Sequence, residues 1–289
     1  MNLVKQSDFD NYLAGLLVPS KFRGAFFAIR AYNVELASMK DQTHGNAVAG
    51  RMRFQWWRDV IEGIYNGRGA HGGEQQYLQQ PVAYALAYYS QEHGLTRHWL
   101  ERSLDARQRD VTQESHESLD DIETYAEQGH SSILYLLLES MNIRDDQSNY
   151  LASHVGVCSG LVTLLRAFPY HVSKRQLYLP RSMLRERSLT VGQLLSGPPL
   201  TAETQTALQD CVFEVACQAH GHLDKARTLA ATTTKHDAFH VCGGPALRSA
   251  MFLKLLQEKN FNPNHPDLIK SVQFEYQLKL LRARLFRSF

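Results

Sequence analysis

An all-helical, single-domain bundle is the fold class that this sequence predicts, on three grounds. Apolar residues recur at helical spacing through most of the chain, capping residues and prolines punctuate those segments, and no stretch alternates apolar with polar as a half-buried strand would. With 289 residues, 44% of them hydrophobic, the chain has enough apolar surface for one large core. Its 31 basic and 29 acidic residues nearly cancel, to a formal +2, so no overall field marks nucleic acid as a partner.

The elements follow in order. Ser7 precedes an acidic first turn and the periodic set Phe9, Tyr12, Leu13, Leu16 and Leu17, which predicts a helix that Pro19 ends. From Lys21 to about Met39, Phe22, Phe26, Ile29, Asn33, Leu36 and Lys40 share one side, apolar at first and then polar. The next helix places Met52, Trp56, Val60, Ile61 and Ile64 on a buried stripe and stops at Gly67. The Gly- and Gln-rich stretch from Asn66 to Pro81 has no period and is expected to be a loop.

Pro81 can open a helix as its first-turn residue, and Thr96 can cap the one carrying Trp99, Leu100, Leu104 and Arg107. Ser118 and Asp121 form a capping-box pattern ahead of a long helix through Ile122, Tyr125, Ile133, Leu136, Leu137 and Met141. Further helices are expected from about Gln147 to Phe168, ended by Pro169, and from Thr201 to Ala230, with Leu208, Cys211, Val212, Val215 and Leu223 inward. The Gly197-Pro198-Pro199 and Asn262-Pro263-Asn264-Pro266 turns separate the later helices without a flexible linker, so residues 1–289 are expected to form one domain.

Chemistry-bearing residues are few. Asp120, Asp121 and Glu123 imitate a metal motif, but in the first turn of a helix carboxylates cap free N–H groups, and Asp145 and Asp146 fit a turn and a cap in the same way. His220 and His222 project about 160° apart on a helix and cannot jointly hold one ion. There is no GxSxG turn, and Gly243-Gly244 is not followed by the Lys and Ser of a phosphate loop. Cys158, Cys211, Cys217 and Cys242 form no CxxC pair and read as buried small residues in a reducing compartment. No apolar run approaches the roughly 20 residues of a membrane-spanning helix. The first ten residues, which include Asp8 and Asp10, do not read as an import presequence.

Several stretches resemble the squalene and phytoene synthases. FFAIRAYNVELASMKD, residues 26–41, is similar to that family's first aspartate helix, and RMRFQWWRDVIEGIY, residues 51–65, to the helix after it. YAEQGHSSILYLLLE, residues 125–139, and the run from Gly156 to the Tyr178-Leu179-Pro180 triplet resemble the second half. The resemblance spans about residues 8–285 and implies an isoprenoid-synthase-like helical bundle.

The family's metal motifs are aspartates four apart, one helical turn, so that both carboxylates share a face. Here Asn33 and Ala37 stand at the first pair, and Ala167 and His171 stand at the second, after Arg166 and across Pro169. Glu35 lies on another side of the helix from Asn33, so shifted ligands do not restore the pair. Without those ions a departing diphosphate lacks charge neutralisation. The resemblance therefore implies a pseudoenzyme with no catalytic residue, no metal and no cofactor, whose degenerate former site comprises Arg30, Asn33, Ala37, Arg166, Ala167 and His171.

One branch of the family shows this same loss and the same segment wording, including LLRAFPYH at residues 164–171. It implies a factor acting early in the assembly of mitochondrial respiratory complex I, in the matrix and peripheral to the inner membrane, with complex I subunits or other assembly factors as partners. Two alternatives stay open: an isoprenoid or lipid binder that uses Arg30, Arg53 and Arg166 for an anionic head group, and an atypical prenyltransferase. The last segment, Lys270 to Phe289, is basic and amphipathic. It fits either an anionic membrane surface or partner subunit, or a final core helix with a solvated basic face.

Overall fold

The helices run in order as α1 (Asn2–Ser7), α2 (Phe9–Leu16), α3 (Ser20–Gln42), α4 (Ala47–Tyr65), α5 (Pro81–His93), α6 (Arg97–Thr112), α7 (Leu119–Ala126), α8 (Ser132–Ser140) and α9 (Asp146–Arg166). They continue as α10 (Phe168–Ser173), α11 (Arg181–Glu186), α12 (Val191–Leu195), α13 (Ala202–Thr232), α14 (Ala238–Glu258) and α15 (Gln273–Phe286). The computed structural model describes residues 1–42, 46–66, 79–112, 116–232, 237–268 and 273–286, and among these no strand occurs. Gly67 and most of the stretch expected as a loop before Pro81 lie outside the described residues.

Local chemistry explains many boundaries. Asn46 caps α4 through its side-chain oxygen, and Gln80 accepts from the Ala83 N–H ahead of Pro81, the first residue of α5. The Ser118/Asp121 capping box is present in full, and Asp145 caps α9 by accepting from the Ser148 N–H. Pro169 behaves differently from expectation. It sits in the first turn of α10, where its missing N–H costs nothing, so it opens a short helix after α9 has ended at Arg166.

Helix α9 is the hub. It packs on α7, α8, α13 and α14, and its Leu151, Val155, Cys158 and Leu161 are almost wholly buried. Opposite it, the expected long helix is divided into α7 and α8 by a π-helical turn at Glu127–Ser131. That turn presses on α9 because Gly156 has no side chain: a Cβ there would lie 2.5 Å from the Ser131 Cα.

The buried faces follow the expected stripes with some shifts. Phe22, Phe26, Ile29 and Leu36 of α3 are in the core, while Asn33 and Lys40 are only partly covered. On α4 the stripe is rotated: Phe54, Trp57, Val60, Ile61 and Ile64 are buried, whereas Met52 is 69% exposed and Trp56 only packs from the side. Cys158, Cys211 and Cys242 are buried as expected, but Cys217 is exposed. Helix α15 seats Tyr276, Leu280 and Ala283 with Ala14 and Leu247 in a satellite cluster between α2 and α14.

Gly156→Ala should overpack the α9 contact and lower unfolding free energy by about 1–3 kcal/mol. Gly221→Ala, on α13 with nothing within 4 Å of its added methyl, should be neutral or stabilising by about 0.5–1 kcal/mol. Urea melts of both variants test this, and equal midpoints would remove the close approach as a constraint.

Candidate functional site

Helices α2, α3, α9 and α14 enclose a cavity of about 360 Å³ with the π turn in its wall. Helix α3 delivers Arg30, Asn33 and Ala37 to it at successive helical turns, together with Asp41. Helix α9 delivers Arg166 from its last turn, α14 delivers Arg248, and the π turn places His130 in the wall.

Four arginines, Arg30, Arg107, Arg166 and Arg248, thus line one space, and two of its three aspartates come from the start of the chain. Arg30 donates to Asp8, with Nε 3.0 Å from Oδ2, and Asn11 steadies the other carboxylate oxygen at 2.8 Å. Asp10 Oδ2 accepts from Arg248 Nε at 2.8 Å and from Arg166 Nη1 at 3.2 Å. Shared carboxylates of this kind satisfy guanidinium groups whose isolation in a partly dry cavity would be costly.

Of the six residues expected in the degenerate site, Arg30, Asn33, Ala37 and Arg166 meet in this cavity, while Ala167 and His171 do not line it. Ala167 is the residue at which α9 ends. His171, on the separate helix α10, turns to Tyr178, with ring centroids 4.4 Å apart. It thereby joins a second polar cluster, in which Asp110 accepts from Tyr178 at 2.8 Å and from Lys40 at 3.2 Å, and Lys40 also donates to Tyr178 at 3.0 Å. Arg107 donates to Tyr125, and Tyr125 reaches Asp110 at 3.4 Å. Arg53, also expected to bind an anion, instead donates to the Gln42 side chain.

The donor set does not suit magnesium. Asn33 offers one neutral oxygen and Ala37 none, Asp8 and Asp10 are bound to arginines, and among the described residues no three His, Cys, Asp or Glu side chains converge as ligands would. Asp121 completes its capping box and Asp145 caps α9 as expected, whereas Glu123, expected to cap as well, instead accepts from His222 Nε2 at 3.3 Å. His220 pairs with Asp224 instead, while His222 Nδ1 lies 2.9 Å from His154 Nδ1.

Burial sets the protonation states. It holds His130 well below the ordinary histidine range, an effect reinforced by Arg107, Arg30 and Arg166, and it brings His171 down to about 4. Burial, and next to it the charges of Arg107 and Asp110 with opposite effects, leaves the Tyr125 hydroxyl protonated. Burial and Asp110 do the same for Tyr178. These side chains therefore serve as fixed hydrogen-bonding groups at neutral pH.

The carboxylate partners of Arg30, Arg166 and Arg248 carry no motif in the sequence. Asp8 and Asp10 were visible as acids near the start of the chain, but their cationic partners lie as far as 238 positions away. An acidic pair in an otherwise amphipathic first helix was the only local signal.

The all-helical bundle with its cavity between facing helices has the architecture of the squalene/phytoene synthase-like folds, and a squalene/phytoene synthase family model matches residues 4–283. The chain belongs to the squalene/phytoene synthase family. Among named relatives it is similar to NADH dehydrogenase (ubiquinone) complex I, assembly factor 6, of Bos taurus and of Homo sapiens. Each is 34% identical over 272 residues, covering 93% of this chain and 76% of the relative. Among solved structures, a dehydrosqualene synthase in complex with ligand superposes with a TM-score of 0.79 at 16% identity, over 99% of this chain and 94% of that one. A squalene synthase from Alicyclobacillus acidocaldarius superposes at 0.74 with 16% identity, over 91% and 93%. At these identities the superpositions establish the fold.

Four buried or half-buried histidines set a pH dependence. His130, His171, His116 and His154 all bind protons more weakly in the fold than in the unfolded chain, each primarily through burial. Their contribution is complete above about pH 6.5, the unfolded value, and declines as pH falls toward about 4, where His171 itself protonates in the fold. Urea midpoints should therefore drop steadily from pH 7 to pH 4.5. A flat profile over that interval would show that these rings are hydrated.

Proposed function

We propose that this chain is a non-catalytic assembly factor for respiratory complex I, acting as one domain spanning residues 1–289 on the matrix side of the mitochondrial inner membrane. The observation that carries the reading is the neutralisation of three of the cavity's four arginines, Arg30, Arg166 and Arg248, by the chain's own Asp8 and Asp10, where a synthase needs metal-bound diphosphate. The similarity to complex I assembly factor 6 along 93% of the chain supports the assembly role.

An external diphosphate would have to displace two carboxylates tethered at high effective concentration, and no facing aspartate pairs would bring magnesium with it. Prenyl transfer by the family's route then has neither its electrophilic activation nor its leaving-group stabilisation. The partners in this reading are complex I subunits or other assembly factors, bound through the surface of the helical bundle. The cavity itself is retained as architecture: the same ion pairs tie α2 to α9 and α14, and α1–α2 to α3.

Cells lacking the protein should lose assembled complex I on a native gel, with other respiratory complexes at normal abundance, and regain it with the wild-type chain. Asn33→Ala at the former motif should rescue equally, because that position holds no metal in this reading. Normal complex I in the deleted cells would refute the assembly role. Magnesium-dependent consumption of farnesyl diphosphate by the purified chain, abolished by Asn33→Ala, would refute the pseudoenzyme and favour the prenyltransferase.

The ion pairs carry their own prediction. Asp10→Asn should lower unfolding free energy by about 1–2 kcal/mol, since the neutral amide leaves Arg166 and Arg248 near Arg30 without their shared anion. Urea melts at low and high salt measure it, and a loss below about 0.3 kcal/mol at both would show that solvent already neutralises the cluster.

A further inference from the structure

Helix α15 carries two apolar faces, and only one is used. At about 100° per residue, Tyr276, Leu280 and Ala283 fall on one arc and Phe274, Leu278 and Leu281 on the opposite arc. The first arc is buried against α2 and α14. The second is in solvent: Phe274 is 73% exposed, Leu278 54% and Leu281 51%. Their i, i+4, i+7 spacing makes one continuous stripe.

Charge identifies what fits that stripe. The last twenty residues hold five of the chain's 31 basic side chains, Lys270, Lys279, Arg282, Arg284 and Arg287, against one of its 29 acids, Glu275. They carry a formal +4, so all that precedes them sums to −2. Glu275 is itself spanned by Lys279 at 2.6 Å, one turn along the helix. Lys279, Arg282 and Arg284 lie on α15 itself against Glu275 alone, so the helix that exposes the apolar stripe is net positive in a chain whose first 269 residues sum to −2. A helix with an apolar face and basic flanks lies in the headgroup region of an anionic bilayer, with its large side chains among the acyl chains and its cations at the phosphates. A neutral protein groove would satisfy the stripe and leave the charge concentration unexplained. No helix among the described residues is long and apolar enough to cross a membrane, and a surface contact needs none.

We infer that the outer face of α15, formed by Phe274, Leu278 and Leu281, is the surface by which this protein lies on an anionic phospholipid bilayer. The inner face holds the helix against α2 and α14, so docking leaves the bundle in place with α15 between protein and lipid. The inference names a surface for the peripheral membrane location proposed above, but it is argued from α15 alone. Vesicle binding tests this face and complex I abundance tests the assembly role, so either can fail without the other.

The full chain should co-sediment with vesicles of phosphatidylcholine containing about 30% phosphatidylglycerol, bind pure phosphatidylcholine vesicles weakly, and dissociate as salt rises to about 0.5 M. A Phe274→Ser/Leu278→Ser/Leu281→Ser variant, altered only where side chains are exposed, should keep its melting temperature and lose partitioning roughly tenfold or more. As an independent readout, the emission of a Phe274→Trp chain should shift to the blue on adding the anionic vesicles and stay unchanged with neutral ones. Recovery of the triple variant equal to that of the wild type would overturn the proposal, as would an unshifted emission spectrum of the Phe274→Trp chain. Concentration-dependent dimers that the triple variant abolishes, with no vesicle binding by the wild type, would overturn it in favour of a second copy of this chain.

Discussion

Positive charge gathered around one cavity has to be balanced somewhere, and in this bundle the balance comes from the chain itself. Arg30, Arg166 and Arg248 arrive from three different helices, and Asp8 and Asp10 meet them from the N-terminal segment. Removing guanidinium groups from water is costly unless a carboxylate receives them, so the position of α2 is tied to those of α3, α9 and α14. The arrangement explains why α2 lies over the cavity.

The same architecture depends on how closely α9 can be approached. Gly156 lets the π turn between α7 and α8 rest directly on α9, and that turn sets His130 beside the arginines. A neutral, buried imidazole adds no charge to a space that already contains several, which is consistent with the direction in which its protonation is pushed. Beyond this wall, Asp110 collects Lys40, Tyr125 and Tyr178 into a second cluster, and the tilted His171 ring packs at its edge. The His171 ring is thus part of the packing next to the cavity.

Features within one or two turns of sequence were legible. The Ser118/Asp121 box, the Asp145 cap and the opening role of Pro81 are interactions between near neighbours, and the structure contains each of them. Legibility failed where tertiary contacts choose the face. On α4, Met52 had the right spacing for the core, yet neighbouring helices cover Phe54 and Trp57 instead. On α15, periodicity revealed an amphipathic helix but not that its two apolar arcs have different fates, one seated in the molecule and one in solvent. Helices as short as α10 and α12 offer too few turns for any period to register.

The sequence by itself determined an all-helical bundle and the family resemblance. Residue identity and helical period are local properties that survive without coordinates. Only the tertiary structure decided that Asp10 answers Arg166 and Arg248, at separations of 156 and 238 positions, and that His171 leaves the cavity for Tyr178. An ion pair is selected by proximity in space and by the shared cost of desolvation, and neither quantity is written in the spacing of residues along the chain.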